Sequence, residues 1–257
     1  VNSTLNITTD ELMIVNAARA LGNAAAAGKG VCFVGIGLPS TAANLARRLY
    51  QPEPVLIYES GCIGSKPTRL PLSIGDGELA DTSDSVVSVP EIFAYWLQAG
   101  RIDIGFLSGA QLDKFGNINS TVIGSYDAPK TRLPGAGGAP EIASAAGQVM
   151  VIMRQSKRSF VDKVDFRSSI GFGEGRGHRE RLGLRGGGPR IVITDLGVME
   201  PDPETCELVL TQVHPGVTPE QCILNTGWQL RVASTLLVTE TVTANEIETL
   251  RALQAAQ

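Results

Sequence analysis

Two hydrophobic rhythms divide the chain. Short, nearly unbroken apolar runs stand at 31–34, 55–58, 102–107 and 149–153, and each ends at a glycine or a polar group. Runs of this length and composition read as buried strands. Longer stretches place apolar residues every three or four positions. Thr8–Ala27 opens with the capping-box pattern Thr8-x-x-Glu11, carries Leu12, Val15 and Ala18 at helical spacing, and stops at Gly28. A second helix follows Pro39, with Ala42, Leu45, Ala46 and Leu49 on one face. Ser88-Val89-Pro90-Glu91 starts a third, whose apolar face is Ile92, Phe93, Trp96 and Leu97 before Gly100. Pro140–Ala146 reads as a helix, 190–194 and 207–213 as strands, and Thr218 and Thr243 as caps of two last helices. Alternation of strands and helices predicts an α/β domain.

Within that pattern, Val55–Gly64 is the stretch around which the chemistry is organised. The apolar run Val55–Tyr58 empties into Glu59-Ser60-Gly61, and a second glycine turn follows at Gly64. In open α/β sheets, ligands bind beyond the carboxyl ends of the strands. A carboxylate at such an end is held on a rigid element, and neighbouring glycines admit substrate and backbone N–H groups. Spacing alone is equally compatible with an ordinary solvated glutamate.

Three further loops carry candidate chemistry. Gly35-Ile36-Gly37-Leu38-Pro39-Ser40 joins the first strand to a helix. It is no dinucleotide fingerprint, because Ser40 stands where the third glycine belongs. Gln111-Leu112-Asp113 and Gly116-Asn117 gather amides and a carboxylate beyond another strand, making Gln111 and Asn117 substrate-near candidates. Gly135-Ala136-Gly137-Gly138-Ala139 opens a helix, where the N–H groups of Gly137, Gly138 and Ala139 can cradle an oxyanion or phosphate. The polar stretch Ser65–Asp84 reads as a long functional loop. The Gly- and Arg-rich segment at about 154–189 reads as a mobile or partner-covering excursion within a single domain spanning 1–257.

Composition narrows the classes. With 257 residues, 43% of them hydrophobic, the chain can bury a large core. Lys and Arg number 22 against 26 Asp and Glu, a net charge of −4, and no basic run points to nucleic acid. No apolar run approaches the roughly 18–20 residues of a spanning helix, so no membrane is expected. The N-terminal stretch has neither the basic nor the apolar region of a secretory signal, and the N-x-S/T triplets at Asn2, Asn6 and Asn119 read as chance. Cys32, Cys62, Cys206 and Cys222 lack C-x-x-C spacing, which points to a reducing cytoplasm and to Cys62 as a small buried hydrophobe. His178 and His214 have no ligand spacing to Asp or Cys, so no metal site and no Ser/His/Asp triad is expected.

The motifs V-C-F-V-G-I-G-L-P, L-I-Y-E-S-G, S-I-G-D-G-E-L, R-L-P-G-A-G-G-A-P-E-I-A and N-T-G-W, in this order, resemble the β-subunit half of the class I CoA-transferases. The resemblance runs from about Thr9 to Leu253. Within the family it is nearest the 3-oxoadipate branch, with the glutaconate branch more distant. It implies a three-layer α/β/α fold with a mostly parallel open sheet. It also implies a homologous α-subunit, often in an α2β2 heterotetramer, with the active site between subunits. Glu59 falls on the family's nucleophile. Gly137, Gly138, Ala139, Gly35, Gly37, Ser60 and Gly61 are then expected around the oxyanion and CoA, with a CoA thioester as substrate and no tightly bound cofactor. A branch of the fold that hydrolyses ring-derived CoA thioesters lacks this glutamate, and Glu59 argues against it. A thioester hydrolase and a ligand-sensing domain remain as the other two classes; the sensor would carry a DNA-binding segment, and none is visible.

Overall fold

The apolar runs all become strands of one sheet. The computed structural model describes residues 6–256; Asn2 and its neighbours at the N-terminus lie outside them. In chain order the first elements are α1 (Thr9–Ala26), β1 (Val31–Val34), α2 (Leu38–Leu49), β2 (Val55–Ile57), β3 (Cys62–Ile63), α3 (Gly77–Asp81) and β4 (Ser85–Val86). Next, α4 (Val89–Glu91) passes into a π-helix, Ile92–Leu97, before β5 (Ile104–Leu107). Two hairpins follow, β6 (Gln111–Leu112) with β7 (Ile118–Asn119), and β8 (Val122–Gly124) with β9 (Pro129–Arg132). The rest comprises α5 (Ala139–Ala145), β10 (Gln148–Ile152), α6 (His178–Arg181), β11 (Pro189–Ile193), β12 (Gly197–Pro201), β13 (Leu208–Val213), α7 (Pro219–Leu224), β14 (Arg231–Val238) and α8 (Ala244–Ala255).

The sheet has ten strands in the order β14-β13-β12-β11-β10-β5-β1-β2-β3-β4. Its centre, β11 to β2, is parallel. Such strands are covered on both faces, which is why their sequences are apolar without alternation. Successive residues still point to opposite layers. Cys32 and Val34 join the core under α1, α2 and α8 with Met13, Leu21, Leu45 and Leu250, while Phe33 joins the other with Ile142, Leu97 and Val151. The three-layer expectation holds. Beyond β11 the sheet continues through antiparallel β12 and β13, a reversal the apolar pattern did not announce.

The capping boxes at Thr8, Thr218 and Thr243 form, whereas at Ser88 only half of the expected box does, its Oγ accepting from Glu91 N–H without a return bond from the Glu91 carboxylate. The stretch Ser65–Asp84 is not structureless. It contains α3, capped by Asp76, whose carboxylate also takes both Arg69 guanidinium nitrogens at 2.8 Å. The 154–189 excursion differs from its mobile reading. Bridges Leu112–Phe160 and Ile118–Ser169 stitch it to the first hairpin. The buried Arg179 guanidinium donates to the carbonyls of Gly171, Ala143 and Gly186, tying the segment to the end of α5. A buried cation is tolerable only when its donors are matched in this way.

Candidate active site

β1 is the point where strand order reverses. The chain moves from β1 to β2 on one side and later inserts β5 on the other. Loops leaving the carboxyl ends here open a crevice, the usual ligand position in such sheets. Glu59 leaves β2 at this edge, and the loop of Gly35 and Gly37 leaves β1 one strand over.

The Glu59 turn is held by its neighbours. Gly61 N–H donates to Tyr58 O at 3.0 Å, and Tyr58 N–H to Cys62 O at 2.9 Å, closing a tight turn between β2 and β3. Gly61 adopts φ +105°, and a Cβ there would lie 2.0 Å from Val87 O. No L side chain fits that geometry. Val87 N–H in turn donates to Gly61 O at 3.0 Å. Behind the turn, the buried Tyr58 hydroxyl meets Ser40 Oγ at 3.3 Å and Asn44 Nδ2 at 3.1 Å on α2. Burial pushes the Tyr58 phenol up, against the pull of those two bonds, so it stays neutral. Ser60 Oγ donates to the Sγ of Cys62, and that cysteine is buried. Glu59 itself is half-buried at the rim.

The Gly137-Gly138 loop arrives directly against this carboxylate. A Cβ at Gly137 would sit 3.9 Å from Glu59 Oε2, and one at Gly138 3.2 Å from the carboxyl carbon. Gly137 needs glycine for its φ of +50°. Gly138 is ordinary αR backbone, so its glycine serves space rather than conformation. Among the described residues neither of these two N–H groups has a backbone acceptor. Ala139 differs from its expected part: its N–H already donates to Ala136 O at 3.0 Å, inside the turn that starts α5. Of the three, only Gly137 and Gly138 keep N–H groups without a backbone acceptor.

Gln111 and Asn117 are engaged elsewhere. Gln111 Nε2 donates to Asp165 Oδ2 at 3.1 Å, and its Oε1 accepts from Asn119 Nδ2 at 2.7 Å and from Asp165 N–H at 3.0 Å. Asn117, wholly buried, donates to both oxygens of Asp113 and to Gly173 O, and accepts from the N–H groups of Gly171 and Gly173. Burial pushes the Asp113 carboxyl up while the Asn117 bonds oppose it. Every hydrogen-bonding position of Asn117 is filled, leaving none for a substrate. His214 is buried between Thr239 Oγ1 and Thr194 O, and burial pushes its pKa down. Lys66 and Arg69, near Glu59 in sequence, pair with Asp84 and Asp76.

One residue at the site escaped the sequence reading. Phe93 packs against the core as its helix stripe predicts, and its ring also reaches Gly138: a Cβ there would lie 2.7 Å from Phe93 Cζ. No local pattern announces this second contact, which joins segments distant in the chain.

The Coenzyme A transferase family model matches residues 20–225. The chain belongs to the coenzyme A transferase family. It is 61% identical over 247 residues to the β-subunit of 3-oxoadipate CoA-transferase from Pseudomonas knackmussii, covering 96% of this chain and 93% of that one. The β-subunit of glutaconate CoA-transferase from Acidaminococcus fermentans is 39% identical, over 89% of this chain and 85% of that one. The crystal structure of glutaconate coenzyme A-transferase from A. fermentans superposes with a TM-score of 0.87 at 36% identity, covering 96% and 94% of the two chains.

Proposed function

We propose that this family member is the β-subunit of a CoA-transferase that moves CoA from an acyl-CoA such as succinyl-CoA to 3-oxoadipate, in aromatic-compound degradation, with Glu59 as nucleophile. The observation that carries the reading is the half-buried Glu59 carboxylate facing the Gly137-Gly138 backbone on a turn its neighbours hold rigid. The 61% identity to a 3-oxoadipate enzyme supports the substrate class.

A carboxylate is a weak nucleophile, but a thioester is an activated electrophile. A Glu59 oxygen adds to the acyl-CoA carbonyl, and the tetrahedral oxyanion is met by the N–H groups of Gly137 and Gly138. Collapse breaks the C–S bond, leaving an acyl-glutamyl anhydride and CoA thiolate. The thiolate attacks the glutamyl carbonyl, releasing the first acid as its carboxylate and leaving a glutamyl-CoA thioester. The acceptor carboxylate runs the sequence backwards and restores Glu59. No proton is gained or lost over the cycle. CoA is a substrate throughout, and no bound cofactor is required.

The two β-subunit relatives support a homologous α-subunit as partner, in an α2β2 heterotetramer. Among the described residues no helix is long and apolar enough to cross a membrane. The four cysteines without C-x-x-C spacing support a cytoplasmic enzyme in this reading. The test uses the two-subunit complex. Mixed with succinyl-CoA and no acceptor, it is expected to be inactivated by borohydride, with peptide mass spectrometry placing the modification on Glu59. Modification of Cys62 or Glu78 instead would overturn the assignment. This chain alone is expected to be inactive; robust turnover without the α-subunit would remove the partner from the reading. An acceptor screen in which glutaconate outperforms 3-oxoadipate would move the enzyme to the 39%-identical branch.

A further inference from the structure

The helix before β5 changes winding at the active site. After the Ser88 cap and one short α-helical turn, Ile92–Leu97 is π-helical. Its bonds run five residues back, Gln98 N–H to Phe93 O at 2.8 Å and Arg101 N–H to Trp96 O at 2.9 Å. An extra residue per turn brings positions five apart toward one side. Ile92 and Leu97, both fully buried, show that spacing. Phe93 stands beside them, half-buried against the same core. Its ring packs on Phe33, at the end of β1, with centroids 5.8 Å apart, and its outer edge reaches Gly138. The same point, the missing Cβ of Gly138, lies 2.7 Å from Phe93 Cζ and 3.2 Å from the Glu59 carboxyl carbon. Ring and nucleophile thus flank one small space that glycine leaves open.

Resting on the Glu59 reading, we propose that Phe93 is a positioning residue that keeps water from the Glu59-bound intermediates, so that they transfer rather than hydrolyse. Both intermediates react with water. Addition of water to the glutamyl carbonyl of the thioester breaks the C–S bond, returns Glu59 as carboxylate and releases CoA as thiol. An apolar ring beside the carboxyl carbon removes the volume from which water would approach, while a carboxylate acceptor enters from the open side. Phe93 makes no bond to the reacting atoms. π-Turns interrupting α-helices often mark functional positions, and Phe93 lies within one.

The test is carried out on the assembled two-subunit enzyme with Phe93→Ala and Phe93→Leu. Acyl-CoA hydrolysis without acceptor and transfer with acceptor are measured in parallel, together with the lifetime of the trapped glutamyl-CoA thioester. Phe93→Ala is expected to raise the hydrolysis-to-transfer ratio about tenfold and shorten the thioester lifetime in proportion. Phe93→Leu, which keeps part of the apolar volume, is expected to fall between Ala and wild type. If Phe93→Ala does not assemble, Phe93→Leu decides by the same two readouts. An unchanged ratio and lifetime, or equal loss of both reactions, would overturn the proposal and leave Phe93 as packing. Failure of the wild-type complex to form any adduct at Glu59 is a separate outcome: it removes the covalent mechanism, and with it the intermediates Phe93 is proposed to guard.

Discussion

The Glu59 turn follows β2 of the large sheet and the Asp113–Asn117 turn joins β6 to β7, and each sets a carboxylate within a few residues of a glycine. They do opposite work. Around Glu59 the holding bonds come from Tyr58, Gly61 and Val87, and the carboxylate lies at the rim beside Gly137 and Gly138. Around Asn117 the side chains themselves are the holding bonds, joining the hairpin β6–β7 to the 154–189 segment. A polar group whose capacity is committed inside the scaffold keeps the architecture; one whose position is fixed by others is free to react.

The largest effects should separate the two turns. Glu59→Gln in the complex is expected to lower transfer by roughly 10⁴-fold with the melting temperature and subunit assembly unchanged. Residual turnover near wild type would break the comparison from the catalytic side. Asn117→Ala is expected to do the reverse, costing about 3 kcal/mol of stability, because Asp113 and the Gly171 and Gly173 backbone lose their partners in the core. Denaturant unfolding measures this, and activity per folded molecule should stay close to normal.

Glu246 sharpens the contrast between committed and available carboxylates. Burial pushes its pKa up, but Arg19 and the Thr243 cap outweigh that and hold it at about 2. A depressed carboxylate stabilises the fold above its unfolded pKa of about 4.3, and the contribution fades as pH falls from there toward the folded value. Glu246→Gln is expected to cost about 2 kcal/mol at neutral pH and to flatten the acid limb between about pH 4.3 and 2. A limb of unchanged slope would show that the pair contributes nothing. Gly138→Ala tests space at the active turn. Its Cβ must displace the Phe93 ring, and kcat is expected to fall about tenfold with the melting temperature within a few degrees of wild type. The smallest effect belongs to the exposed Lys66–Asp84 pair: Lys66→Ala should change stability by about 0.5 kcal/mol or less. KM for the dicarboxylate should also hold, since the ammonium is already paired. A large rise in KM would instead make Lys66 a substrate contact.

What the sequence determined by itself was local. The caps at Thr8, Thr218 and Thr243, strand β1 between Gly30 and Gly35, and the glycine turn behind Glu59 each follow from a few adjacent residues, because capping, φ preference and apolar runs act within one turn of chain. The tertiary structure decided how polar atoms were shared out. Asn117 meets Gly173 across 56 residues of chain, and Ala139 turns its N–H inward to Ala136. Phe93, in the π-helical stretch between the buried Ile92 and Leu97, reaches Gly138 on a distant loop. Hydrogen-bond satisfaction in a core is settled among distant segments, so a carboxylate beside glycine is left at the rim at Glu59 and is bound into a structural joint at Asp113 and Asn117.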